Sequence, residues 1–259
     1  MNNIRSVLAA GPLVWALGMS TSAAALDFDK YCNASAAPTV IFLVDRTEIY
    51  DDVDKRRFST GVVKLLSELK PGERFLVFPI TNAPGRLTPD WDSCVPGCSE
   101  SAVSTGTDSA YCGSLLAVRD KRRFQQNFVG LMRQYATQSV TAAGTQLIRT
   151  LHALSREVVD VTVRRLVIFS DMLEFSHLSR GKISQADLAW AKTLIRRTRR
   201  DYQPTKAFAN TDVVAFGFGK RLGKDLVLPQ QAANTFRAFW QHYFTGLAKA
   251  GSVRIRSNY

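Results

Sequence analysis

Asp45, Thr47, Thr145 and Asp171 are the residues of this sequence best suited to do chemistry together. Two carboxylates and two hydroxyls make a set of hard oxygen donors, the kind that Mg²⁺ or Mn²⁺ takes with water in its remaining positions. A plainer reading gives Asp45 and Asp171 the work of capping helices and holding loops through backbone amides. Both readings require distant stretches of chain to bring these residues to one place.

The pattern of apolar residues says how that would happen. Thr39-Val-Ile-Phe-Leu-Val-Asp45 is a continuous apolar run ending in a carboxylate, as expected of a buried parallel strand. Phe58, Val62, Leu65, Leu66 and Leu69 then recur at helical spacing behind Asp51, Asp52 and Asp54, whose charges suit a helix N-terminus. Pro71-Gly72 stops that helix, and Arg74 to Ile80 reads as a second strand. Residues 81–119 break the rhythm with turn-forming residues and cysteines, an insertion or an elaborated edge. A helix marked by Phe124, Phe128, Leu131 and Tyr135 follows, then the Thr137–Thr145 loop and a helix with Leu147, Leu151, Leu154 and Val158 on one face.

Arg165 to Asp171 is the third strong strand, and it too ends in an aspartate. An amphipathic helix over 184–200, a strand over Asp212 to Phe218 and a last helix carrying Phe236, Phe239, Trp240, Tyr243, Phe244 and Leu247 complete the alternation. The 3/4 spacing of those aromatics suits burial against a sheet, and Ser252–Arg256 reads as a closing edge strand. The expected fold is α/β: a mainly parallel central sheet with helices on both faces, a three-layer sandwich. In such sheets ligands gather beyond the carboxyl ends of the strands, where both aspartates fall.

With three short motifs in order, the chain resembles the von Willebrand factor type A family. That family's metal-ion-dependent adhesion site uses Asp-x-Ser-x-Ser after the first strand, a Thr in a later loop and an Asp after a later strand. Here the pieces read Asp45-Arg46-Thr47-Glu48-Ile49, Ala143-Gly144-Thr145 and Ser170-Asp171-Met172. The resemblance covers about residues 39–256 and implies a single domain over 26–259 with a Cys-rich insertion at about 81–119. It also implies a protein-binding or scaffolding role without catalysis, in which a metal bound by Asp45, Thr47, Thr145 and Asp171 leaves one position for an acidic side chain of a partner. Ile49 departs from the pattern by standing where the family places its second Ser. The alternative keeps the fold with a vestigial metal site and places binding in the Cys-rich loop or a basic patch.

Residues 1–25 read as a secretory leader: Arg5 precedes a mostly apolar stretch from Val7 to Leu17, and Ala23-Ala24-Ala25 offers a small-x-small cleavage pattern. An uncleaved anchor is the alternative. Export to a periplasmic or extracellular compartment makes Cys32, Cys94, Cys98 and Cys112 candidates for two disulfides, with three pairings open and a four-cysteine zinc site as the rival. The chain carries +12 formal charge, and removing residues 1–25 takes only Arg5, so the basicity belongs to the folded part. That charge favours anionic partners. Arg196, Arg197, Arg199 and Arg200 cluster at one helix end, either as cations complementing the helix dipole or as a patch for an acidic protein or cell-envelope lipid.

Other classes fit less well. A phosphatase of the haloacid dehalogenase kind needs Asp-x-Asp, and Thr47 occupies the second carboxylate position. No Gly-x-Ser-x-Gly elbow accompanies His152, His177 or His242. Export argues against nucleic acid as the partner. The Trp91–Cys98 segment is open to two readings, a crosslinked structural loop or part of a recognition surface.

Overall fold

A computed structural model describes residues 28–32, 38–80, 87–97, 115–138, 145–174, 188–202, 206–219 and 227–258. The leader at 1–25, Cys98, Cys112, His177, Ala143 and Gly144 lie outside the described residues.

β1 (Thr39–Asp45) is buried along its whole length, as a strand flanked on both sides and covered on both faces must be. It runs parallel to β2 (Arg74–Ile80) on one side and to β4 (Val163–Phe169) on the other. β5 (Asp212–Phe216) and β6 (Ser252–Ile255) extend the sheet in parallel beyond β4. At the opposite edge β3 (Trp91–Cys94) pairs antiparallel with β2, Arg74 opposite Cys94. The stretch read as an insertion thus adds an edge strand. The strand order is β3-β2-β1-β4-β5-β6, with the chain working outward from β1 one way and from β4 the other. The reversal point lies between β1 and β4, where open α/β sheets form their ligand crevice.

Alternate residues of β1 feed two cores. Val40, Phe42 and Val44 pack with α1 (Asp52–Glu68) and α2 (Leu115–Thr137), through Phe58, Val62, Phe124 and Phe128. Ile41 and Leu43 pack on the other face with α3 (Leu147–Glu157), α4 (Leu188–Asp201) and α5 (Gln230–His242). Three layers result, as the residue periodicity requires.

Local chemistry sets the element ends. The Asp51 carboxylate caps α1 by accepting from the amides of Val53 and Asp54, both at 2.9 Å. A Cβ at Gly61 would collide with the Phe216 ring, so only glycine lets α1 lie this close to the sheet. The aromatics of α5 are buried core, as their spacing implies, and the helix ends in a π-helical turn at Tyr243–Leu247.

Cys32 and Cys94 form a disulfide that ties the 3₁₀ turn Asp29–Tyr31 to β3. One of the pairs left open by the sequence is thereby shown, and a four-cysteine zinc site is excluded because two of its thiolates are bonded to each other. The half-buried Trp91 ring meets Phe124 and Phe128 edge-on at 5.3 and 5.9 Å, so it packs against the core beneath α2. No helix among the described residues is long and apolar enough to cross a membrane.

Candidate functional site

The register of β1 and β4 brings the predicted residues together. Val44 sits opposite Phe169, so Asp45 and the pair Ser170-Asp171 leave the sheet side by side at its carboxyl edge. Thr145 arrives from the loop before α3. Asp45, Thr47, Thr145 and Asp171 are all buried.

Asp45 is the centre of a hydroxyl cluster. Its Oδ1 accepts from the Thr47 amide at 3.1 Å and the Thr47 hydroxyl at 2.7 Å. Its Oδ2 accepts from Thr145 Oγ1 at 3.1 Å and Ser170 Oγ at 2.8 Å. Burial pushes the Asp45 carboxyl above the ordinary range, and the bonds from Thr47, Ser170 and Thr145 pull it back. Arg46 does not neutralise it. That guanidinium turns away to lie 4.3 Å over the Tyr135 ring and 3.8 Å from Asp90, whose carboxylate also accepts the Tyr135 hydroxyl.

The three hydroxyls of Thr47, Thr145 and Ser170 all lie within hydrogen-bonding distance of the Asp45 carboxylate. Thr47 Oγ1 and Thr145 Oγ1 are also 3.0 Å apart, and either can donate to the other, so the hydroxyls form one connected network around Asp45. The donor set fits a hard cation: Thr47 and Thr145 have lone pairs to offer, and Asp45 supplies negative charge from behind them. Among the described residues no three His, Cys, Asp or Glu side chains gather at one point, so a cation here would rest chiefly on hydroxyl and water oxygens.

Ser170 is the residue that sequence reading missed. It donates to Asp45 and accepts from the Met172 amide at 2.9 Å. A third hydroxyl therefore does reach Asp45, although the family pattern places its second Ser at Ile49. Ile49 itself is 58% exposed and fills no part of the cluster. Its neighbour Tyr50 is buried and donates its hydroxyl to the Asp45 carbonyl.

The loop after β4 is held from behind. Asp171 Oδ1 accepts from the Leu173 amide at 2.9 Å, turning the backbone back on itself. Met172 takes a left-handed conformation, φ 58°, which is strained for a residue with a Cβ. Its carbonyl accepts the Trp240 indole N–H from α5 at 2.8 Å. Buried Glu174 accepts from the Ile148 amide at 2.9 Å, joining this loop to the first turn of α3 and so to the segment carrying Thr145. Trp240 was legible only as core, and Glu174 gave no signal.

The remaining candidates lie elsewhere. At the end of α4, Arg196 and Arg199 are exposed, Arg197 is half-buried, and Arg200 pairs with Asp201 at 2.6 Å. His152 packs edge-on to Tyr202 at 5.5 Å, and exposed His242 lies near the end of α5, so neither approaches Asp45.

No protein-family model matches the sequence, and no curated protein does. Among solved structures, the chain is similar to a conserved hypothetical protein BatB from Bacteroides thetaiotaomicron, at 10% identity and TM-score 0.39, over 86% of this chain and 91% of that one. It is also similar to an aerotolerance-related membrane protein from Bacteroides fragilis, at 11% identity and TM-score 0.34, over 85% and 91% of the two chains. Likeness at that level leaves the functional argument resting on the chain's own geometry.

Proposed function

We propose that this chain is an exported, non-enzymatic binding module of the von Willebrand factor A-like kind. It holds an acidic group of a partner protein at the carboxyl edge of its sheet through Mg²⁺ or Mn²⁺. The observation that carries this reading is the pair of threonine oxygens, 3.0 Å apart, gathered with one buried carboxylate at the carboxyl edge of the sheet. Thr47 and Thr145 would hold the cation directly, with Asp45 and Asp171 balancing its charge and orienting its waters. The cation would supply a coordination position for a carboxylate from outside.

Other features agree with that role. The +12 chain attracts acidic partners over long range and raises their association rate. The Cys32–Cys94 bridge suits an oxidising compartment, periplasmic or extracellular. Among the described residues, the groups that hydrogen-bond the Asp45 carboxylate are hydroxyls and one backbone amide, a donor set suited to holding a cation and its waters.

Retention on a polyglutamate surface is the test. Mg²⁺-dependent retention that EDTA abolishes, and that Thr145→Val abolishes at unchanged folding, is the expected result. Retention indifferent to EDTA and to Thr145→Val would leave the hydroxyl cluster as a structural knot, with binding through the basic surface alone.

A further inference from the structure

We propose that the outward face of α2 docks on a membrane surface carrying anionic lipid headgroups. This inference is independent of the cation site, which lies at the carboxyl edge of the sheet.

α2 carries Arg119, Lys121, Arg122, Arg123 and Arg133 against a single acid, Asp120. That acid is turned inward. Its Oδ2 accepts from Lys30 Nζ at 2.7 Å and from the Tyr31 hydroxyl at 3.0 Å, and Asp120 is buried. Arg119, Lys121, Arg122 and Arg123 are all exposed; Arg119 also reaches the Asp120 carboxylate at 3.4 Å, so the first half of the helix presents a clear excess of cations to solvent.

Two aliphatic side chains share that face. Leu115 is 90% exposed and Val118 52% exposed, and they stand at helical spacing with Arg119 and Arg122. The opposite side of the helix is core, through Phe124, Phe128 and Met132. Cations interleaved with exposed aliphatics suit a lipid interface, where headgroups take the charges and acyl chains the apolar tips. A nucleic-acid backbone would meet the cations but leave Leu115 and Val118 without a counterpart.

Residues 28–32 tie the first half of α2 to the rest of the domain and hold its basic face in place. Phe28 packs edge-on to Phe124 at 5.8 Å, Lys30 holds Asp120, and Cys32 is bonded to Cys94.

The test is sedimentation of the full chain with phosphatidylcholine vesicles, with and without one third phosphatidylglycerol. We expect binding to favour the anionic vesicles and that preference to fall as salt rises. Lys121→Ser/Arg122→Ser/Arg123→Ser should lower the anionic-to-neutral binding ratio about tenfold or more, and Leu115→Ser should weaken anionic binding several-fold. Arg196→Ser/Arg199→Ser, at the end of α4, should leave the ratio unchanged. All these positions are exposed, and unaltered melting will show that the variants fold. Equal binding to both vesicle types, a preference untouched by the α2 variant, or one lost with Arg196 and Arg199 would overturn the proposal. So would binding to duplex DNA or polyglutamate while anionic vesicles are ignored.

Discussion

Trp240 donates its indole N–H to the carbonyl of Met172 at 2.8 Å, linking the last helix to the loop that carries Ser170 and Asp171. The contact falls where the backbone is strained, at a buried left-handed residue that directly follows Ser170 and Asp171. A single hydrogen bond from the core thus helps hold the candidate site in shape. Trp240→Phe keeps most of the ring packing and leaves the Met172 carbonyl without its indole partner, at a cost of about 1–3 kcal/mol. Urea unfolding measures that cost. Faster amide exchange at Met172 and Leu173 would show that the loss is felt at the site.

The Cys32–Cys94 bridge spans 62 residues of sequence. Closing a loop of that length removes denatured-state entropy worth about 4 kcal/mol, less whatever residual structure the reduced chain retains. Cys32→Ser/Cys94→Ser should therefore unfold at lower denaturant by an amount equivalent to about 2–4 kcal/mol. A double variant as stable as the parent would show that this bridge contributes nothing to the fold.

Acid should loosen the join between the 3₁₀ turn and α2. The Lys30 ammonium bonded to Asp120 holds that carboxyl below its usual value, with the Tyr31 hydroxyl adding to the effect. Because the folded pKa is depressed, the stabilisation is present above the unfolded value of about 3.9 and is lost as pH falls from there through the folded value. Asp120→Asn should thus be less stable than the parent at pH 7, with the gap closing below about pH 4. Unfolding in urea at pH 7 and at pH 3 compares the two limits.

How much of this was readable from residues alone follows from which forces are local. The bounds of β1 and β2 match their apolar runs because a strand buried on both faces must be apolar throughout. β4 starts two residues before Arg165 and ends at Phe169, since its limits depend on pairing with β1 and not on its own composition. β3 escaped notice because Trp-Asp-Ser-Cys is short and half polar, and only the outer edge of β2 makes it a strand. Asp45, Thr47 and Thr145 were legible as a group through their places at element ends. Ser170 was not assigned, because its hydroxyl reaches Asp45 only through the register between two strands whose residues lie far apart in sequence. The basic face of α2 was obscured by Asp120, whose inward orientation is a tertiary fact.

The claim on which the functional reading rests is that Thr47 and Thr145 present their lone pairs to a cation in front of the Asp45 carboxylate. Isothermal titration of the chain with Mn²⁺, beside Thr145→Val, tests it directly. Saturable heat in the parent, abolished by removing one hydroxyl while the variant still unfolds cooperatively without metal at a cost of about 1–3 kcal/mol, is the predicted result. No saturable heat in the parent, or equal binding by the valine variant, would contradict the account.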